Sequence, residues 1–166
     1  MIWFSFSKVF PGMAPFIKWC ASTWIGMYVS HAAWAFKFIE TIHILAWVVL
    51  IGTTMLVNLR LLGILKGWDV EQIDRNVSPF IYASLSLVTI TGVLMFLSNA
   101  GRYYQSVAFA PKIVFFVMAL IYQFGVYRFV VRSSRNRVPV WARFAGGFSL
   151  LLWFAVGAAG RAIGAL

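Results

Sequence analysis

Four long runs of apolar residues alternate with shorter polar connections along this chain. The runs cover residues 34–57, 79–98, 111–131 and 141–163, and each is close to the roughly 20 apolar residues that a helix needs to cross a bilayer core. Pro79 and Pro111 open the second and third runs, where a helix tolerates a missing backbone N–H. The pattern predicts an all-α polytopic membrane protein with a bundle of four transmembrane helices.

The N-terminal residues 1–33 do not share this pattern, because they are more polar and hold no apolar run of spanning length. Five residues of the segment 15–30 recur near helical spacing: Phe16, Trp19, Cys20, Trp24 and Met27. Such spacing is typical of an amphipathic helix that lies at the membrane interface. We therefore expect an N-terminal interfacial segment, residues 1–33, before a bundle of residues 34–166. A fifth, short span is the alternative.

Composition supports the membrane assignment. Hydrophobic residues make up 62% of the chain and charged residues only 11%, whereas soluble domains carry about 25% charged residues. The net charge of +10 would suggest nucleic acid as a partner of a soluble protein. Here the basic residues lie at span ends and in connections, as expected of topology signals and lipid headgroup contacts. We therefore expect the lipid bilayer, and not nucleic acid, as the partner.

The distribution of basic residues predicts the orientation. The first and third connections hold eight of them: Arg60, Lys66, Arg75, Arg128, Arg132, Arg135, Arg137 and Arg143. The opposite side holds six: Lys8, Lys18, Lys37, Arg102, Lys112 and Arg161. Cytoplasmic connections are enriched in lysine and arginine, so this count places both termini outside the cytoplasm.

Glu40 and His43 interrupt the first apolar run. A charged group near the centre of a membrane helix costs about 2.5–3.5 kcal/mol, so an ionisable residue there indicates a functional site or a structural ion pair. At 100° per residue, six residues of this span fall within about 120° of one another: Phe36, Glu40, His43, Trp47, Thr54 and Asn58. Lipid cannot satisfy such polar groups, so this face must contact protein.

Alternation of the four spans brings further polar residues to the end of the bundle where the first span begins. Lys112 opens the third span and Arg161 lies near the end of the fourth. Gln123 shares a face with Lys112, because eleven residues are close to three helical turns. We therefore expect one acid, one imidazole and two or more cations to surround a common cavity.

His43 has two interpretations. In the first it is an axial ligand to haem iron or, less favoured, a copper ligand, and Glu40 orients a ring or accepts a proton. In the second it is hydrogen-bonded between helices, with Glu40 paired to Lys112 or Arg161. His31 lies twelve residues earlier, about 18 Å along a continuous helix, so the two histidines cannot bind one iron from a single helix.

The run from Glu40 to Gly63 resembles an uncharacterised family of small bacterial membrane proteins. That family carries an E-x-x-H start, a mid-span glycine and an (N/D)-L-R-L-L-G end, and the likeness includes A-F-A-P-K (108–112) and A-A-G-R (158–161). More distantly, the chain resembles CopD-type copper-resistance proteins and HemJ-type protoporphyrinogen oxidases. The latter likeness depends on His43, Trp47, the pair Arg60-Leu61, and Lys112 followed by Tyr122.

The resemblance implies a four-helix membrane bundle that holds haem b or a porphyrin, with His43 and Lys112 at the site. HemJ-type sequences usually have a histidine at the position of Gln123, and this departure argues against oxidase activity more than against the fold.

The favoured hypothesis is therefore a multi-pass protein of the bacterial inner membrane, with periplasmic termini, that binds haem b or a porphyrin through His43. Its function would be electron transfer or porphyrin chemistry. Glu40 would be the proton-active or orienting group, and the cofactor contacts would be His43, Trp47, Lys112, Gln123 and Arg161. The first alternative is a cofactor-free accessory subunit of a larger membrane complex or a homo-oligomer. The second is a copper transport or resistance protein.

Overall fold

A computed structural model of the chain describes residues 6–65, 67–134 and 138–165. Four of its helices are long and apolar enough to cross a membrane: Trp34–Leu61, Val70–Ser98, Phe109–Ser133 and Val140–Ile163. The predicted all-α fold with four membrane spans is confirmed. Three residues of the charge count, Lys66, Arg135 and Arg137, lie outside the described residues.

The N-terminal segment is a series of short helices, not the single helix predicted for residues 15–30. Helix α1 (Phe6–Val9) and a 3₁₀ turn (Pro11–Met13) precede α2 (Ala14–Ala21) and α3 (Trp24–His31). The break between α2 and α3 is set by Thr23, whose side chain accepts a hydrogen bond from the Gly26 N–H at 3.2 Å. This is the N-cap arrangement that begins a new helix.

Helix α3 packs directly on the second span. A Cβ atom added to Gly26 would lie 2.7 Å from the Leu97 carbonyl oxygen, which only a glycine permits. The exposed aromatic residues of the segment are on the opposite side, where Trp24 and Tyr28 stack with ring centroids 6.0 Å apart. Helix α3 therefore attaches the N-terminal segment to the second span.

The first span is helix α4 (Ala33–Leu61), which extends four residues beyond the predicted end. It stops at Gly63, whose φ of 85° is in the left-handed region. The Gly63 N–H donates to the Arg60 carbonyl and the Ile64 N–H to the Leu59 carbonyl, both at 3.0 Å. These two bonds form a Schellman motif, which gives the L-R-L-L-G sequence a structural role.

The second span, helix α5 (Val70–Ser98), begins nine residues before Pro79, so the prediction that this proline opens the helix is wrong. The additional turns are stabilised by tertiary contacts at Asp74. Its Oδ1 accepts hydrogen bonds from Ser78 Oγ at 3.0 Å and from the Tyr127 hydroxyl at 2.7 Å. One missing N–H inside the helix is tolerated because neighbouring groups hold the backbone in place.

The remaining elements complete the bundle. A short helix α6 (Ala100–Gln105) is followed by the third span, which consists of α7 (Phe109–Ile121), a π-helical turn (Tyr122–Val126) and α8 (Tyr127–Ser133). The fourth span is helix α9 (Val140–Ala165). We call the end of the bundle where α4 and α7 begin the outer end, and the opposite end the inner end.

Helix α4 is the centre of the bundle, since it packs along both α5 and α9, and α7 packs on α9. The second and third spans meet near the inner end, where α8 packs on α5. Farther out they are bridged by aromatic side chains. Phe96 stacks on Phe109 at 5.4 Å near the outer end, and Tyr82 stacks on Phe124 at 6.0 Å farther in.

Candidate functional site

His43 is held between the first and second spans. Its Nδ1 lies 2.8 Å from the hydroxyl oxygen of Thr91, a residue of α5 that is only 4% exposed. The imidazole itself is half-buried. The interhelical hydrogen bond fixes the orientation of the ring, as the bond partners of metal-binding histidines do.

The hydrogen bonds of Thr91 indicate the tautomer of His43. The Thr91 hydroxyl lies 2.6 Å from the Leu87 carbonyl oxygen, and a hydroxyl has a single proton to donate. When that proton goes to Leu87, Thr91 accepts the hydrogen bond from His43, and the imidazole proton is on Nδ1. The lone pair is then on Nε2, the nitrogen that is chemically able to bind a metal.

Three glycines pack against the side chains of this region. A Cβ atom added to Gly92 would lie 3.4 Å from His43 Cε1, and one added to Gly157 would lie 3.2 Å from Trp47 Nε1. A Cβ atom added to Gly160 would lie 3.6 Å from Lys112 Nζ. Of the three, only Gly157 lies closer to its neighbour than an ordinary van der Waals contact, so a larger residue there would press on the Trp47 indole.

Lys112 lies in the same region as His43. Its stem and ammonium group pass over Gly160 of α9, and its charge acts on the His43 imidazole. The side chain is half-buried and does not reach an acidic partner among the described residues. A cation in this position is suited to bind an anionic group of a ligand, since lysine offers three donors on a flexible stem.

Glu40 does not pair with Lys112 or Arg161, because no ion pair of Glu40 exists among the described residues. The carboxylate acts on Tyr103 instead. Burial raises the pKa of the Tyr103 phenol, the Glu40 charge raises it further, and Arg102 opposes the shift. The part of the structural interpretation that paired Glu40 with a cation is therefore wrong.

The other predicted residues are distributed differently. Trp47 meets Trp153 of α9 in an edge-to-face contact, with ring centroids 5.8 Å apart. Arg161 is exposed at the outer end. Gln123 is fully buried, but it is eleven residues from Lys112, or about 16 Å along the helix axis. The structure thus brings together His43, Trp47 and Lys112, and it leaves Gln123 and Arg161 apart from them.

Four residues that position this site were not predicted: Thr91, Gly92, Gly157 and Gly160. The glycine-rich and alanine-rich sequence of the fourth span indicated close helix packing, as small residues do in membranes, without indicating which side chains would occupy the space. Thr91 is one of several hydroxyl residues of α5 that bond to their own helix. Only the pairing of α4 with α5 distinguishes it.

The two histidines of the chain have different surroundings. His43 is bonded between two spans through Nδ1, and Lys112 supplies a positive charge in the same region. His31, the other histidine, is exposed on α3 and bonds through Nδ1 to the Met27 carbonyl at 2.7 Å. Within the described ranges, no three His, Cys, Asp or Glu side chains lie close enough to hold a metal ion together.

Comparison with known proteins identifies a family and no function. No curated protein and no solved structure matches the chain, so the distant likeness to the HemJ-type and CopD-type proteins stays a prediction. A family model described as a family of unknown function matches residues 15–166, which include α3 and all four spans. The chain is therefore a member of this family of unknown function, DUF6644.

Proposed function

We propose that this multi-pass membrane protein binds haem b or a porphyrin at the outer end of its bundle and acts in electron transfer or porphyrin chemistry. The observation that carries the proposal is the His43–Thr91 hydrogen bond of 2.8 Å. It leaves Nε2 of an oriented, half-buried imidazole with its lone pair, beside the charge of Lys112. A bound haem iron supplies one-electron chemistry.

The protein residues have separate functions in this proposal. His43 would be the axial ligand, and Thr91 would hold its ring and keep the proton on Nδ1. Lys112 would neutralise a propionate of the macrocycle. Glu40, whose charge acts on Tyr103, would exchange protons at the outer end of the bundle. Trp47 and Gly157 would form an apolar wall, because an indole and a glycine offer a flat surface.

The separation of the second and third spans supports access for a flat, lipid-soluble ligand. Aromatic pairs close the interval between these spans at Phe96–Phe109 and at Tyr82–Phe124. The two pairs are fourteen residues apart on α5, about 21 Å along the helix axis. Thr91 and Gly92 lie on α5 within this interval, and Lys112 lies on α7 near its outer limit. A ligand from the bilayer would approach His43 from this side.

An optical spectrum of the purified protein tests the proposal. Protein expressed with added haem precursor is purified in mild detergent, and spectra are recorded after air oxidation and after dithionite reduction, with a pyridine haemochrome assay. The expected result is a stoichiometric b-type spectrum. A metal-free porphyrin would instead give a Soret band with porphyrin fluorescence.

The two histidines provide a matched pair of variants. We expect His43→Ala to lose the cofactor spectrum while circular dichroism and gel filtration remain unchanged. We expect His31→Ala to keep the spectrum, because His31 is exposed and bonded to its own helix. A native spectrum in His43→Ala, or a wild-type protein that lacks Soret absorbance after supplementation, would contradict the assignment.

A cofactor-free accessory subunit is the second candidate, and one observation favours it. Trp47 and Lys112 pack closely against Gly157 and Gly160, so the interior near His43 is occupied by the protein's own side chains. On this hypothesis His43 only joins the first two spans, and the exposed apolar faces contact other subunits or a second copy. Colourless protein that co-purifies stoichiometrically with another membrane protein would establish this candidate in place of the first.

We further propose that the protein resides in the bacterial inner membrane with periplasmic termini. The connections at the inner end hold eight of the fourteen basic residues of the sequence, which supports a cytoplasmic location for that end. Alkaline phosphatase fused to the C-terminus should be active and green fluorescent protein fused there should be dark. The opposite pair of signals would reverse the orientation.

A further inference from the structure

The inner half of the bundle contains buried polar groups without partners. Four side-chain atoms of the described spans make no hydrogen bond although they are buried: Asn58 Oδ1, Gln123 Oε1, Gln123 Nε2 and Trp153 Nε1. Asn58 and Gln123 are 0% exposed and Trp153 is 1% exposed. Buried polar groups in native proteins are nearly always hydrogen-bonded, to protein or to ordered water.

These residues lie at neighbouring levels of three different spans. Asn58 Nδ2 donates to Ser149 Oγ of α9 at 3.1 Å, and Trp153 is one turn from Ser149 on the same face of α9. The Tyr122 hydroxyl donates to the Ala145 carbonyl at 2.8 Å, which places the adjacent Gln123 beside the same part of α9. The unpaired atoms of Asn58, Gln123 and Trp153 thus lie at neighbouring levels of the buried core.

The chemistry of the unpaired atoms defines the missing partner. Asn58 Oδ1 and Gln123 Oε1 are acceptors, whereas Gln123 Nε2 and Trp153 Nε1 are donors. A metal cation would satisfy only the oxygens, and an anion would satisfy only the N–H groups. Water both donates and accepts, and it commonly makes about three hydrogen bonds to buried groups that lack partners. Water is the ligand that fits all four.

Two further polar residues lie between this region and the inner end. Tyr127 follows Gln123 by four residues, across the π-helical turn Tyr122–Val126, and its hydroxyl donates to Asp74 Oδ1 at 2.7 Å. Asp74 is partly exposed. π-helical turns are rare and are frequently found at functional sites. In the outward direction, the contact between Trp47 and Trp153 closes the region.

We propose that the inner half of the bundle holds a water-binding site, lined by Asn58, Gln123, Ser149 and Trp153. The site exchanges water and protons with the inner surface past Tyr127 and Asp74, and it ends beneath the two tryptophans. It does not depend on the cofactor proposal, because none of its four lining residues contacts the cofactor in that proposal. The two regions meet at the contact between Trp153 and Trp47.

Proton exchange at the Trp153 indole tests this site. The protein is labelled with ¹⁵N-tryptophan in detergent micelles, and the indole signal of Trp153 is assigned by its absence in Trp153→Phe. We expect a water-exchange cross peak at this signal, although the ring is buried. We expect the peak to be lost in Gln123→Met, which keeps the length of the side chain without its donors and acceptors. Gln105→Met, at an exposed glutamine of α6, should leave the peak unchanged.

Thermal stability supplies a second, independent measurement. If water pairs the Gln123 amide, Gln123→Met removes hydrogen bonds and lowers the melting temperature more than Gln105→Met does. If the region is dry, removing an unpaired amide raises the melting temperature, since an orphaned buried polar group destabilises the folded state. A wild-type Trp153 indole proton that does not exchange with water, or a stabilised Gln123→Met variant, would overturn the proposal.

Discussion

The hydrogen bond between His43 and Thr91 can be removed almost without a change of shape by the substitution Thr91→Val. Valine keeps the branched side chain and loses the hydroxyl. Two bonds are then lost, the interhelical bond to His43 Nδ1 of 2.8 Å and the bond to the Leu87 carbonyl of 2.6 Å within α5. The second loss must be separated from the first before the interhelical bond can be assigned a free energy.

Thr89→Val provides that separation. Thr89 is exposed on the same helix, and its hydroxyl donates to the Leu85 carbonyl at 2.8 Å without contacting another span. Its substitution should change the free energy of unfolding by no more than about 0.5 kcal/mol, as exposed substitutions do. Thr91→Val should cost about 1–2 kcal/mol more, because it leaves the Nδ1–H of a half-buried ring without its acceptor.

A double-mutant cycle of Thr91→Val with His43→Phe isolates the pair. Interhelical hydrogen bonds in membrane proteins average about 0.6 kcal/mol and reach about 1.7 kcal/mol. The short distance and the 4% exposure of Thr91 lead us to expect a coupling of about 1 kcal/mol. The assay is reversible unfolding in mixed micelles, followed by circular dichroism. A coupling that is indistinguishable from zero, or equal effects of Thr91→Val and Thr89→Val, would refute the assigned geometry.

Three further predictions concern packing and pH. Gly26→Ala should cost about 1–3 kcal/mol by overpacking, because its Cβ would meet a backbone oxygen at 2.7 Å; thermal unfolding should show Gly12→Ala to be neutral. Gly157→Ala should cost about 1 kcal/mol, because its Cβ would meet the Trp47 indole at 3.2 Å. Gly52 has open space around it, and an effect of Gly157→Ala no larger than that of Gly52→Ala would contradict this prediction. Burial raises the pKa of the Cys20 thiol above its ordinary 9.0, so the folded state retains this proton and loses stability as pH rises through about 9. Iodoacetamide should then alkylate folded protein much more slowly than unfolded protein at pH 9, and equal rates would show that the thiol is accessible.

The sequence was sufficient for the number and order of the spans because spanning a bilayer imposes a local requirement on each helix. About 20 apolar residues must follow one another, and each segment meets or fails this condition by itself. The ends of the helices were less predictable. The second helix extends before Pro79 because Tyr127, from a distant part of the chain, bonds to Asp74, and no local pattern records that contact.

The candidate site also combines residues that the sequence marked with contacts that only the structure shows. The position of His43 and Glu40 inside an apolar run marked them as unusual from the sequence alone. Their partners could not be predicted in this way. His43 bonds to Thr91, and Glu40 acts on Tyr103 without pairing with a cation among the described residues. Gln123 was expected to line the same cavity as Lys112, and it is buried at a different level of the bundle. That its amide, the Asn58 carbonyl oxygen and the Trp153 indole N–H all lack partners is a property of the packed core.

The sequence by itself therefore determined that this chain is a four-span membrane protein with an ionisable pair in its first span. Hydropathy is a property of each helix by itself, so the composition of a segment is sufficient to predict a membrane span. Only the tertiary structure decided which side chains meet, because the rotation and register of one helix against another depend on small residues. Gly157 lies so close to Trp47 that an added Cβ would be 3.2 Å from the indole nitrogen, and Thr91 lies 2.8 Å from His43 Nδ1. Neither contact can be read from a single helix.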